Sequence, residues 1–222
     1  MELDARHFRE ILYAACGELR VPVSEDHAAL LFRHAQLLME WNRRINLTAI
    51  VDPVEVVIKH YIDALAPIDD IPKEVQCLDI GTGAGFPGIP LKILRPSQPL
   101  TLIDSVRKKI SFVKYSIMDL QLTLIDAIHI RAEDLARIPA HQKRYGAVLC
   151  RALADLPTII RWAKPFLAPG GKIVAWRGPD RGSDQIKQIS QSVAPNHISI
   201  QTVDYALPIL GDRRTLLVIA LD

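Results

Sequence analysis

The stretch Cys77-Leu78-Asp79-Ile80-Gly81-Thr82-Gly83-Ala84-Gly85-Phe86-Pro87-Gly88 decides the fold, because four glycines crowd into a turn directly after an apolar strand. Glycine accepts positive φ and has no side chain to exclude a ligand, so such a turn between strand and helix invites a nucleotide-like cofactor. Gly83-x-Gly85-x-x-Gly88 also satisfies the dinucleotide fingerprint, in which a pyrophosphate rests on the helix N-terminus. Asp79, directly before the glycines, would repel that phosphate and would favour the ammonium and sulfonium of S-adenosylmethionine. The loop therefore reads as an S-adenosylmethionine site, with a dinucleotide site and a merely structural turn as alternatives. Asp104, after the apolar run Leu100–Ile103, does not separate them, since an acid ending the second strand grips ribose hydroxyls of either cofactor.

With 222 residues and 49% hydrophobic content, the chain can bury a full core as one α/β domain with a small appendage. Cys16, Cys77 and Cys150 are far apart, odd in number and without paired metal spacing. They point to a reduced compartment and to no metal site. The start has no basic flank leading into an apolar core, and no apolar run approaches a membrane span, so a soluble, cytoplasmic protein without membrane contact is expected. A net charge of +2 permits nucleic-acid contact without requiring it.

Residues 1–72 read as a helical region packed on the rest, and 73–222 as the α/β core. Ser24 is an N-cap, followed by Glu25 and Asp26 and an apolar stripe through Leu31, Leu38 and Trp41 that ends near Asn42-Arg43-Arg44. Asp52-Pro53-Val54-Glu55 opens another helix through Leu65. Apolar runs at 75–80, 100–103, 127–130, 147–150 and 172–176 then recur at crossover spacing, the mark of a parallel sheet. Ser105 is placed to cap the helix 106–120, and Pro169-Gly170-Gly171 to turn into the fifth strand. The segments 197–203 and 214–221 are joined too tightly for a helical crossover, which predicts an antiparallel pair. A mostly parallel sheet closed by a C-terminal antiparallel hairpin is the Rossmann-like class I methyltransferase architecture.

Trp41-Asn42-Arg43-Arg44-Ile45-Asn46-Leu47-Thr48, Lys59-His60-Tyr61-Ile62-Asp63, the loop Asp79–Leu91, Leu102-Ile103-Asp104-Ser105, Arg131-Ala132-Glu133 and Arg151-Ala152-Leu153-Ala154 together resemble the RsmG (GidB) family. Order and spacing match from about Leu30 to the C-terminus. The chain departs from that pattern at Arg177-Gly178, where the family has Lys-Gly, and at Cys150, where Ser often precedes Arg-Ala. The resemblance implies an S-adenosylmethionine-dependent methyltransferase acting on N7 of a guanine in 16S ribosomal RNA near the decoding centre. It implies cofactor contacts at Gly81 and Phe86, through Ala132-Glu133 and at Arg151, with Asp104 near the ribose. Asp79, Gly83 and Gly85 join them from the loop reading.

Guanine N7 keeps a free lone pair at neutral pH, so its methylation needs no general base, and positioning carries the catalysis. Arg151 can donate to guanine O6 or serve the cofactor carboxylate, and both readings stand. Asn46 either enters the active site or caps its helix, and His60, with Asp63 on the next turn, is either catalytic or a satisfied structural histidine. N7 lies in the deep groove of A-form RNA, so the target is a loop or distorted nucleotide in 16S RNA or the small subunit. Cations expected to meet it are Arg43, Arg44, Lys59, His60, Arg107, Lys108, Lys109, Lys114, Arg177, Arg181, Arg213 and Arg214; each is also readable as an ordinary solvated charge. Trp41 and Trp162 read as core and Trp176 as the candidate stacking platform. A monomer is expected.

Overall fold

The computed structural model describes residues 4–151, 154–178 and 198–221. Among these, seven strands form one sheet in the order β3-β2-β1-β4-β5-β7-β6. The strands are β1 (Cys77–Ile80), β2 (Leu100–Asp104), β3 (Ile125–His129), β4 (Tyr145–Arg151), β5 (Leu167–Arg177), β6 (Ile198–Ala206) and β7 (Arg213–Leu221). The first five pair in parallel; β7 lies antiparallel between β5 and β6. The helices are α1 (Ala5–Glu18), α2 (Glu25–Ile45), α3 (Pro53–Val56), α4 (Asp63–Leu65), α5 (Gly88–Leu94), α6 (Arg107–Asp119), α7 (Ala132–Leu135) and α8 (Leu156–Ala163). None of the described helices is long and apolar enough to cross a membrane.

Strand alternation assigns the two faces. Cys77, Leu102, Leu149, Val174 and Trp176 share one apolar cluster with residues of α1, α2, α5 and α6; Leu78, Ile80, Val148, Cys150 and Ala175 share the other with α7 and α8. The N-terminal helices thus complete a face of the core. Phe8 and Tyr61 sit in the same cluster as Leu102 and Phe112.

Local signals decide most boundaries. Ser24 Oγ accepts from the His27 amide and His27 Nδ1 accepts from the Ser24 amide, a capping box with histidine in the usual glutamate position. Asp52 accepts from the Glu55 amide and Pro53 starts α3. Between α3 and α4 the helix widens into a π turn, Val57–Ile62. Ser105 does not cap α6: the N-cap is Val106, no side chain caps the first turn, and the Val106 amide donates to Asp104 Oδ1 at 2.8 Å just ahead of the helix. Pro169-Gly170-Gly171 lies inside β5 as an irregularity, with Gly170 at φ 72° and a register shift between Tyr145 and Ala147 of β4. A strand that skips residues against its partner is bulged rather than preceded by a turn.

Candidate functional site at the carboxyl ends of the strands

Strand order reverses between β1 and β4, and ligands of open α/β sheets bind outside the carboxyl ends at such a switch point. Ile80 pairs with Cys150 and with Ile103, so Gly81 emerges between Arg151 and Asp104. A cleft of about 100 Å³ opens there, walled by Ile80, Gly81, Ile103 and Asp104 on one side and Ile130, Ala132, Glu133 and Trp162 on the other.

The glycine loop has little left to offer a phosphate. The amides of Gly81 and Thr82 donate to the Ile103 carbonyl, and those of Gly85 and Phe86 to the Thr82 carbonyl. Gly83 N–H donates to Asp104 Oδ2 at 3.0 Å and Gly88 N–H to Asp79 Oδ2 at 3.1 Å. A pyrophosphate site needs free amides at the turn and helix start; here carboxylates and carbonyls hold them. The dinucleotide reading fails on this count, while a cationic cofactor without phosphate fits a cleft carrying the Asp104 and Glu133 carboxylates.

The glycines differ in purpose. A Cβ on Gly83 would meet nothing closer than the Gly81 carbonyl at 3.9 Å, so that backbone faces open space in a φ of +62°. Gly85 and Gly88 serve packing instead: a Cβ would lie 2.5 Å from Ile89 Cδ1 and 2.2 Å from Leu102 Cδ2.

Asp79 lies beneath the loop, not among the residues that line the cleft. It shares the Cys77 face of β1 and is buried, with Oδ2 accepting from Thr82 Oγ1 at 2.7 Å and Oδ1 without a partner. Burial raises its pKa to about 7 against these two hydrogen bonds, so it braces the loop from beneath rather than facing the cleft. Asp104, nearly buried, lines the cleft while holding Gly83 and Val106.

Phe86 folds inward and stacks on His60, centroids 4.7 Å apart at 15°, and meets His34 and Tyr61 edge-on. His60 Nε2 lies 2.9 Å from Thr48 Oγ1 and its Nδ1 is buried and unpartnered; burial, then Arg151, lowers its pKa to about 3. Neutral and enclosed, His60 is built as a brace between the N-terminal helices and the loop. Asn46 is the left-handed C-cap of α2, φ 48°, and is exposed. That backbone position is the one the capping reading describes.

Arg151, at the end of β4, donates Nε to Asp63 Oδ2 at 3.0 Å and Nη2 to the Lys59 carbonyl, with Nη2 also 2.8 Å from Asp63 Oδ2. Its guanidinium carbon lies 5.9 Å from the Phe86 ring centroid. Of five N–H donors, the two on Nη1 remain for a ligand.

Among the expected RNA cations, Arg43, Arg44, Arg107 and Lys108 are exposed. Lys114 and Arg213 are exposed as well. Lys109 faces Asp104 at 3.9 Å, Lys59 pairs with Glu55 at 2.6 Å, and Arg214 lies near Asp63 and Asp212. Arg177 is buried and donates to the Ala154 carbonyl, which removes it from the RNA-facing set. Arg181, Ala152 and Leu153 lie outside the described residues. The tryptophans exchange roles: Trp176 is buried with its indole on the Asp63 carbonyl, and Trp162 lines the cleft with its indole on Glu133 at 2.7 Å. Strand and helix spacing alone did not separate them; the acid at Glu133 was the available signal. Asp63 and Thr48, which the motifs contained without declaring a role, and Tyr205, which lies far from all of them along the chain, bond to this cluster: Asp63 to Arg151 and Tyr205, Thr48 to His60.

Residues 27–209 match the family described as rRNA small subunit methyltransferase G. A ribosomal RNA small subunit methyltransferase G from Desulforamulus reducens is 40% identical over 211 residues, 94% of this chain and 88% of that protein. Another from Pelotomaculum thermopropionicum is 36% identical over 218 residues, 95% and 89%. Among solved structures, P. horikoshii TYW2 in complex with MeSAdo superposes with a TM-score of 0.57 at 12% identity, covering 78% of this chain and 64% of that one. A SAM-dependent methyltransferase from Aquifex aeolicus gives 0.55 at 14%, covering 77% and 94%. These likenesses show the Rossmann-like methyltransferase fold, and the sequence matches place the chain in the rRNA small subunit methyltransferase G (GidB) family.

Proposed function

We propose that this S-adenosylmethionine-dependent methyltransferase of small-subunit ribosomal RNA methylates N7 of a guanine in 16S RNA near the decoding centre. The observation that carries the cofactor choice is the internal use of the loop amides by Asp79, Asp104 and main-chain carbonyls. Gly81, Gly83, Asp104, Ala132 and Glu133 would hold the cofactor, and Trp162 would cover it. When bound, S-adenosylmethionine supplies an electrophilic methyl on a sulfonium.

The chain's own part is positional. No side chain is required to remove a proton from N7, and the neutral, enclosed His60 fits that economy. Arginine often grips guanine through O6 and N7 together, which would block the lone pair that must react. With Nε and Nη2 held by Asp63 and Lys59, Arg151 offers only Nη1, suited to a single bond to O6 or to the cofactor carboxylate. Arg43, Arg44, Arg107 and Lys108 are read as the phosphate contacts of the RNA.

The test is transfer of labelled methyl to naked 16S RNA and to small subunits from cells lacking this protein, followed by nucleoside analysis. A 7-methylguanosine signal in either is expected, and the responding substrate identifies the assembly state recognised. Label in another nucleoside, or none with cofactor binding intact, overturns the N7 reading.

A further inference from the structure

Asp63 begins α4 one residue after the π turn and is buried among groups from four strands. Oδ2 takes the Arg151 fork from the end of β4. Oδ1 accepts from the Tyr205 hydroxyl of β6 at 2.9 Å and lies 3.6 Å from Arg214 Nε of β7. The Asp63 carbonyl accepts from the Trp176 indole of β5 at 2.8 Å. Such a buried charge cluster is a weak source of net stability, because desolvation offsets the Coulomb gain. What it fixes is orientation. Tyr205 and Arg214 stop the carboxylate from rotating, and the carboxylate stops the guanidinium from rotating.

The π turn adds the third constraint. In an α-helix the Asp63 amide would take the Lys59 carbonyl; here it faces the carbonyls of Ile58 and His60, and Arg151 Nη2 reaches Lys59. The fork is thereby held at two acceptors, the Asp63 carboxylate and the Lys59 carbonyl, with Nη1 as its remaining edge at the end of β4.

We propose that Asp63 is a positioning residue for methyl transfer, locking Arg151 so that Nη1 alone meets the ligand. This rests on the reading that Arg151 touches cofactor or guanine. The test is a double-mutant cycle on the full chain with Asp63→Asn, Arg151→Ala and the pair, reading single-turnover methyl transfer and thermal midpoint together. Asp63→Asn is expected to lower the rate by about 10²-fold, the cost of a misplaced group. In the Arg151→Ala background it is expected to change the residual rate by less than about twofold; the thermal midpoints, which couple because the two side chains touch, serve to show that each variant is folded at the assay temperature. Independent rate losses in the cycle would make Asp63 merely structural and overturn the proposal. So would wild-type transfer by Asp63→Asn when Arg151→Ala is impaired, leaving the Arg151 reading intact; a fully active Arg151→Ala overturns both. If Asp63→Asn does not fold, Tyr205→Phe replaces it in the same cycle, with loss expected only where Arg151 is present and loss in both backgrounds, or in neither, overturning the proposal.

Discussion

A side chain at Gly83 would project into open space, whereas one at Gly85 would strike Ile89, and that contrast separates ligand-facing from packing glycines within one motif. Gly83→Val carries strain of about 1–2 kcal/mol from the left-handed φ, while its Cβ would meet nothing closer than the Gly81 carbonyl at 3.9 Å. The expected outcome is a folded protein with a modestly lowered thermal midpoint and no measurable heat of S-adenosylmethionine binding; wild-type affinity would take Gly83 out of the cradle. Asp79 was legible as an acid at the loop, but the sequence aimed it at the cofactor, and neither its burial nor its partners could be read there. The carboxyl titrates near 7 instead of 3.8 because it is buried with Oδ1 unpartnered. A raised folded pKa contributes stability that is full below about pH 4 and fades as pH rises through 7. Asparagine keeps an acceptor for Thr82 and Gly88 and does not titrate. The thermal midpoint of Asp79→Asn relative to wild type is therefore expected to rise between about pH 5 and about pH 8. A constant difference across that range would show that the buried charge is compensated.

The helix from Asp52 illustrates what pattern reading can and cannot supply. Its start was written in Asp52 and Pro53, both of which act on the nearest amides. Its middle was not, since a 3.6-residue period cannot reveal one turn wound as π, and that turn brings His60 over Phe86 and Lys59 to Arg151. The strand centres were legible as apolar runs because parallel strands are covered on both faces. For the same reason nothing in β5 said which side Trp176 takes. His34 of α2 and His60 of the π turn flank Phe86, and burial, the larger cause for each, lowers both to about 3 from 6.5. A depressed folded pKa means that the stabilisation is present above 6.5 and is lost as pH falls toward 3, when the unfolded chain takes up the protons first. Replacing His60 by Gln is expected to flatten the fall of thermal midpoint in that acid window. An unchanged slope would mean that His60 charges without disturbing the brace.

At the scale of the molecule, the parallel strands and the C-terminal hairpin followed from spacing, but the surface proposed to face RNA depends on a pairing between helices more than sixty residues apart. Arg33 of α2 meets Asp119 of α6 at 2.8 Å, while Trp41 packs on Phe112 and Tyr115. The later residue of α2 meets the earlier residues of α6, so the two helices run antiparallel. The Arg43-Arg44 end of α2 therefore shares an edge with the Arg107-Lys108 start of α6, beside Asp104 and the cleft. Cations in the first turn of a helix oppose its dipole, so Arg107 and Lys108 cost a little stability where they stand. Reversing both to Glu is expected to hold or raise the thermal midpoint while weakening RNA binding. Neutralising a phosphate on single-stranded nucleic acid adds about 0.7 to the slope of log affinity against log salt, so losing two contacts should flatten it by roughly 1.4. Lys109 is left in place because it faces Asp104, which keeps cofactor affinity as an internal control. A salt slope equal to wild type would move the RNA to another edge. A flattened slope with intact cofactor binding, repeated on changing Arg43 and Arg44 to Gln, would make the paired helix ends a single phosphate-gripping surface.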